Sequence, residues 1–329
     1  MMTPDVRPTV VALGEVAPAL VLGALGEGVR FVAEPGEADL AQAQGAIVRA
    51  GVGVDEALLA AMPALRVLAR TGVGVDRVDL AAATRRGVVV VVTPGAGTAA
   101  VAEGAIGMAL SLLKRFGPLT GLVREGRWSE RGSAPVGDLE GATVGLVGYG
   151  RTGRRVALLA QAFGARVVAY DPFAGPPPEL ACADVYELAA ASDVVSLHAP
   201  LTEGTRHLVD GRFLAAAKDG AVLVNCARGA LVDLDAVCSA VLEGRLGGVA
   251  LDVFEPEPPE HHPLFDLPNV LLTPHLMGLS SRARAATFAA AARGVVDVLA
   301  GRQPEAVANG HPPKPAPALA GPSDMEAGG

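Results

Sequence analysis

The chain has 329 residues, half of them hydrophobic and only 4% aromatic, with a formal net charge of −8. That length suggests two domains, with cores built from Ala, Val and Leu rather than from aromatic rings. The acidic balance and the lack of a dense Lys/Arg cluster argue against a nucleic-acid surface, and no apolar run is long enough to span a bilayer.

Residues 1–94 read as short strands alternating with helices. Val10–Leu13, Arg30–Val32, Ala46–Arg49, Arg66–Ala69 and Val88–Val92 are the candidate strands, with a helix at Glu56–Ala61. Such alternation predicts an α/β fold with a parallel sheet. After the strand ending at Ala69 comes Arg70-Thr71-Gly72-Val73-Gly74-Val75-Asp76. This reads either as a plain strand-to-helix loop or as an anion nest, in which the amides around Gly72 to Gly74 hold a carboxylate. Thr93-Pro94-Gly95-Ala96-Gly97 reads as a hinge, followed by a long helix, Ala99–Arg115. Phe116–Val136 reads as a connection, with the single tryptophan, Trp128, packed structurally.

Next comes a strand, Thr143–Val147, that breaks into Gly148-Tyr149-Gly150-Arg151-Thr152-Gly153 and then a helix, Arg154–Phe163. A second strand, Arg166–Tyr170, ends on Asp171. Glycine is common in this chain (41 residues), so the pattern alone also fits a surface turn. Its context decides otherwise. Gly148 permits the tight turn, Gly150 lets a pyrophosphate approach the backbone, and Gly153 lets helix and strand pack closely. The helix N-terminus offers unpaired amides and a positive dipole end to phosphate. Asp171, about 20 residues on, is placed to accept from the ribose hydroxyls of NAD and to repel the 2′-phosphate of NADP.

The alternation continues with strands at Asp193–Leu197, Ala221–Asn225, Gly248–Leu251 and Val270–Leu272 and helices at Asp210–Ala217 and Asp233–Glu243. Ser281–Leu299 reads as a last long helix, and residues 303–329, rich in Pro, Ala and Gly, as a disordered tail. The start, Met1-Met2-Thr3-Pro4-Asp5, lacks a secretory pattern. Cys182, Cys226 and Cys238 have no metal-ligand spacing, so no metal is expected, and an odd, sparse set suits the cytoplasm.

Three charged residues follow strands of the second half: Arg228, Glu257 and His275. Singly, each also reads as a solvated loop charge or a packed side chain. Together they fit keto-acid reduction. A guanidinium can bind a carboxylate and polarise a ketone, an imidazole can exchange the hydroxyl proton, and a carboxylate can orient and stabilise the imidazole. His198 ends a strand and either packs or lines a cofactor cleft.

These motifs resemble the D-isomer-specific 2-hydroxyacid dehydrogenases, most of all the D-3-phosphoglycerate dehydrogenases and the glyoxylate/hydroxypyruvate reductases. The resemblance rests on Arg70–Asp76, Thr93-Pro94-Gly95 with Val101-Ala102-Glu103, the glycine turn through Asp171, Leu197–Thr202, Asn225–Gly229, Leu251–Pro258 and Thr273-Pro274-His275. It implies two Rossmann-like lobes, with an NAD-binding domain (95–279) inserted into a flavodoxin-like substrate domain (1–94, completed by the helix of 280–302). By the same resemblance Arg228, Glu257 and His275 are the catalytic trio, and Val73 and Gly74 hold the substrate carboxylate. Arg151, Thr152, Asp171, Cys226, Ala227, Asp252 and Gly278 contact the cofactor. A small anionic substrate and a homodimer are also implied. Val92, Gly97, Gly104 and the run Leu276-Met277 depart from the common pattern and leave the substrate open. Two alternatives stand beside a hydroxyacid dehydrogenase: a dehydrogenase of a phosphonate-bearing hydroxy compound, and a non-catalytic NAD(H)-sensing scaffold like the C-terminal binding protein corepressors.

Overall fold

The computed structural model describes residues 7–49, 51–132 and 136–310. The chain divides into two compact units, Met1–Ala96 with Arg284–Gly329, and Gly97–Ala283.

In the first unit β1 (Thr9–Leu13), α1 (Leu22–Leu25), β2 (Arg30–Val32), α2 (Glu37–Gln42), β3 (Ala43–Val48), α3 (Glu56–Ala60), β4 (Val67–Arg70), α4 (Leu80–Arg85) and β5 (Val89–Val91) follow one another. The strands form one parallel sheet in the order β2-β1-β3-β4-β5, the flavodoxin-like order. Successive strand residues point to opposite faces. Val10, Ala12, Ile47 and Val91 therefore pack on one layer while Val11, Leu13, Val48 and Val90 pack on the other. Both faces are covered, which is why the strands are continuous apolar runs.

The second unit carries α5 (Thr98–Leu113), α6 (Phe116–Arg124), β6 (Thr143–Val147), α7 (Arg151–Ala162), β7 (Arg166–Tyr170), α8 (Val185–Ala191), β8 (Val194–Leu197), α9 (Gly211–Ala216), β9 (Ala221–Asn225), α10 (Leu234–Leu242), β10 (Leu246–Leu251) and β11 (Val270–Leu272). Its parallel sheet runs β11-β10-β9-β8-β6-β7. The order reverses at β6, which pairs with β7 on one side and β8 on the other. A ligand site belongs beyond the carboxyl ends of strands at such a switch. One core lies under α8, α9 and α10 and a second under α5 and α7. With side chains this small, each fully buried Val or Leu contributes roughly 1.5–3 kcal/mol, so many are needed. The last helix, α11 (Ser281–Leu299), enters the first unit at Arg284 and buries Phe288, Ala291, Ala292, Val295 and Val298 against that sheet.

Four expectations need correction. Residues 303–310, assigned to a disordered tail, are ordered: Val92 N donates to Ala306 O and Ala308 N to Val90 O, alongside β5. Residues 311–329 of that tail, including His311, lie outside the described residues. The connection after α5 contains a helix, α6, reached through Arg115 in the left-handed region at φ 54°. Trp128 does not pack internally; it is 63% exposed, with the Arg131 guanidinium 5.5 Å from its ring centre. Finally, α7 starts at Arg151 rather than Arg154, because Arg151, Thr152 and Gly153 form its first turn.

Candidate active site

The glycine turn joins β6 to α7. Gly148 has φ +97°, and a Cβ there would lie 2.6 Å from the carbonyl carbon of His198, at the end of β8. A Cβ on Gly153 would collide with the Gly148 carbonyl oxygen. A Cβ on Gly150 would meet nothing within 4 Å. Two glycines thus bring backbones together, and the third leaves open space at the start of a twelve-residue helix. Arg151 is exposed and Thr152 half-buried in that first turn. The arrangement fits a pyrophosphate on the helix N-terminus.

Asp171 follows β7. Its Oδ2 accepts from Tyr149 N at 2.8 Å, and its Oδ1 from Phe173 N at 2.9 Å and Ala174 N at 2.8 Å. Burial works to raise its pKa, but the amides of Ala174, Tyr149 and Phe173, with the nearby Arg154 charge, outweigh it and hold the carboxyl below its ordinary value. Asp171 is therefore ionised, and it ties the glycine turn to the neighbouring strand end. His198 bonds Ser196 Oγ through Nε2 at 2.9 Å, and burial pushes its pKa down to about 4, so its ring is neutral.

The structure joins Glu257 and His275 directly. His275 Nδ1 lies 3.0 and 2.9 Å from the two Glu257 carboxylate oxygens. A carboxylate only accepts, so Nδ1 carries the proton and Nε2 is the nitrogen left to exchange one. Glu257 Oε1 also accepts from Phe254 N at 3.1 Å. Phe254 is in turn the backbone against which Gly229 packs, since a Cβ on Gly229 would collide with the Phe254 carbonyl carbon. Gly229 follows Arg228. An unbroken run of contacts therefore links the Arg228 loop through Phe254 and Glu257 to His275. Gly229 escaped the sequence reading; a glycine directly after the candidate arginine was its available signal.

Buried polar residues shape both loops. Asn225 is fully buried; its Nδ2 donates to Arg228 O at 2.8 Å and its Oδ1 accepts from Ala227 N at 3.0 Å. Arg228 Nη1 donates to Ala227 O at 2.7 Å. Asp252, 2% exposed, accepts from Thr273 Oγ1 at 2.6 Å, Leu276 N at 2.9 Å and Met277 N at 3.1 Å. These bonds bracket His275 and hold it at φ 55°, a conformation that costs a non-glycine residue about 1–2 kcal/mol. Asp252 spends its carboxylate on this turn. Cys226 gives its thiol to Met108 Sδ at 3.6 Å, so its side chain points into the core, and burial with the Asp252 charge pushes its pKa up to about 12. Gly278 packs near Val101 of α5.

In the first unit, Gly72 has φ +141° and its amide donates to Arg70 O and to Thr93 Oγ1, at 3.0 and 2.8 Å. Gly72 is thus a scaffold for the loop rather than a donor to an anion. The amides of Val73 and Gly74 donate to no backbone carbonyl among the described residues.

Fold, switch point and glycine turn define a dinucleotide-binding α/β protein. The comparisons carry this further. Residues 106–277, just over half the chain, match the family model "D-isomer specific 2-hydroxyacid dehydrogenase, NAD binding domain", and the chain belongs to that family. It is 35% identical over 270 residues to a D-3-phosphoglycerate dehydrogenase of Methanocaldococcus jannaschii, covering 80% of this chain and 51% of that protein. It is 37% identical to a glyoxylate reductase of Thermofilum pendens, covering 78% of each. Among solved structures, an NADPH-dependent glyoxylate/hydroxypyruvate reductase of Sinorhizobium meliloti in complex with citrate aligns with a TM-score of 0.82 at 31% identity, over 92% of this chain and 98% of that one. The chain thus spans about half the length of the phosphoglycerate dehydrogenase it matches and most of the reductases. The cofactor of the family domain is NAD.

Proposed function

We propose that the protein is an NAD-dependent oxidoreductase that interconverts a small D-2-hydroxy acid and its 2-keto acid, of the glyoxylate, hydroxypyruvate or 3-phosphoglycerate kind. The observation that carries this reading is the His275–Glu257 pair, 2.9 Å apart, on turns of the domain that binds NAD. When bound, the nicotinamide supplies or accepts the hydride. His275 Nε2 gives a proton to the carbonyl oxygen in reduction and takes it back in oxidation. Glu257 holds the imidazole in one tautomer and one orientation. Arg228 binds the substrate carboxylate and polarises the carbonyl. In the first unit Val73 and Gly74 offer amides to a carboxylate. Gly148, Gly150, Arg151, Thr152 and Gly153 are proposed to receive the pyrophosphate and Asp171 the ribose. Cys226, Ala227, Asp252 and Gly278 line the cofactor through backbone and packing.

A homodimer in the cytoplasm fits the remaining features. Helix α6 buries none of its residues within the chain, and Phe116, Val123 and Trp128 stay more than half exposed. Other exposed apolar residues are spread along the chain, but these three lie close in sequence, and a local apolar patch of this kind is where a second copy can dock. No described helix is long and apolar enough to cross a membrane.

The test is direct. Purified protein with NADH is offered glyoxylate, hydroxypyruvate, 3-phosphohydroxypyruvate and pyruvate, with NADPH alongside. Consumption of NADH with at least one keto acid, faster than of NADPH, is expected. No consumption with any of them would remove the assigned chemistry.

A further inference from the structure

One face of α5 carries Val101, Gly104, Met108 and Leu112, spaced by three, four and four residues, so they form a single stripe. Each meets a segment that leads to the trio. A Cβ on Gly278 would lie 3.4 Å from Val101 Cγ2. A Cβ on Gly104 would lie 2.5, 2.9 and 3.0 Å from Met277 Sδ, Cγ and Cβ. Met108 Sδ accepts the Cys226 thiol at 3.6 Å. A Cβ on Gly248 would lie 3.1 Å from Leu112 Cδ2. Met277 and Gly278 follow His275, Cys226 precedes Arg228, and Gly248 lies in β10, which runs out toward Asp252 and Glu257.

We propose that this stripe positions the trio, and that Gly104 and Met277 are its deciding pair. The inference rests on the dehydrogenase reading. Met277 is fixed twice: its amide by Asp252, its side chain against the bare backbone of Gly104. A methyl group at residue 104 can push the thioether aside, but Met277 Cγ and Cβ are also too near and are carried by the backbone. Making room moves residues 276–278, and His275 is the next residue back. The fit is one of complementary size: no side chain at 104, a long one at 277. Both are positioning residues, acting on substrate only through His275.

The experiment compares Gly104→Ala, Met277→Ala and the double variant in the full chain. Four quantities are read: NADH affinity by fluorescence, kcat and KM for the keto acid, the His275 imidazole titration by NMR, and Tm. In Gly104→Ala, kcat falls roughly tenfold or more, in line with the cost of misplacing a reacting group by about 1 Å. NADH affinity falls by a smaller factor than kcat does, and the His275 titration shifts. Met277→Ala loses less. The double variant recovers kcat and the His275 titration toward wild type, so that the losses do not multiply, while Tm stays low because the side-chain volume is gone. Wild-type kcat and titration in Gly104→Ala would overturn the proposal, as would a double variant at least as impaired as the product of the singles. Should Gly104→Ala not fold, a double variant that folds with kcat near wild type supports the pair, and one reduced tenfold or more overturns it. If the wild type turns over no substrate, the dehydrogenase reading fails by itself, and the NMR titration still decides whether residues 104 and 277 set the position of His275.

Discussion

His198 shows how one side chain can tie the cofactor turn to solution conditions. Its backbone closes on Gly148, and burial depresses its pKa to about 4 from an ordinary 6.5. The unfolded chain therefore binds this proton more readily than the folded one between those values. Stability is fully present above about pH 6.5 and is lost as pH falls toward 4. Thermal unfolding followed across that window should show Tm falling with pH, and His198→Gln should flatten the slope. An equal slope in the variant would mean that other groups set it. His275 is different: its partner is a carboxylate 2.9 Å away on a neighbouring turn, and that pair leaves its Nε2 uncommitted. His198 is thus kept neutral for structure.

At the scale of elements, turns rather than strands do the positioning. Asp252 organises the one after β11 with three accepted hydrogen bonds. Asp252→Ala would strand Thr273 Oγ1 and the amides of Leu276 and Met277. Each unsatisfied buried donor costs about 1–3 kcal/mol, so chemical denaturation should show a loss of several kcal/mol, with a matching fall in turnover. A stability change below about 1 kcal/mol would show that water replaces the carboxylate. Much of this architecture was legible in advance. Strands such as Thr143–Val147 and Ala221–Asn225 are apolar on both faces and bounded by clear turn residues. Arg228, Glu257 and His275 stood out as candidates because each lies beyond the end of such a run. Helices α4 and α8 were not read, although Asp79 and Asp184 cap them and were the available signal. Helix α6 had almost none, because Gly117, Pro118 and Gly121 oppose helix formation. For Gly229 the sequence offered only its place after Arg228; the close approach of Phe254, 25 residues away, appears only in the fold.

For the whole molecule, each unit closes its own two-sided parallel sheet, and the chain returns to the first through α11 and residues 306–309. Asn309 secures that return: its Oδ1 accepts from Val90 N, and its Nδ2 donates to Val88 O and Thr84 Oγ1. Part of the exposed apolar surface sits on α6 and Trp128. Sedimentation should therefore report a mass of twice 33.2 kDa, and Val123→Asp with Trp128→Ala should shift it toward the monomer. A wild-type mass of one chain at micromolar concentration would rule out a stable dimer. The central claim concerns the imidazole. NADH binding and keto-acid turnover measured on the same preparations of wild type and His275→Ala test it most directly. The variant should bind NADH within about twofold of the wild type while turnover falls on the order of 10²-fold or more. Turnover at the wild-type rate would contradict the assignment of proton transfer to His275.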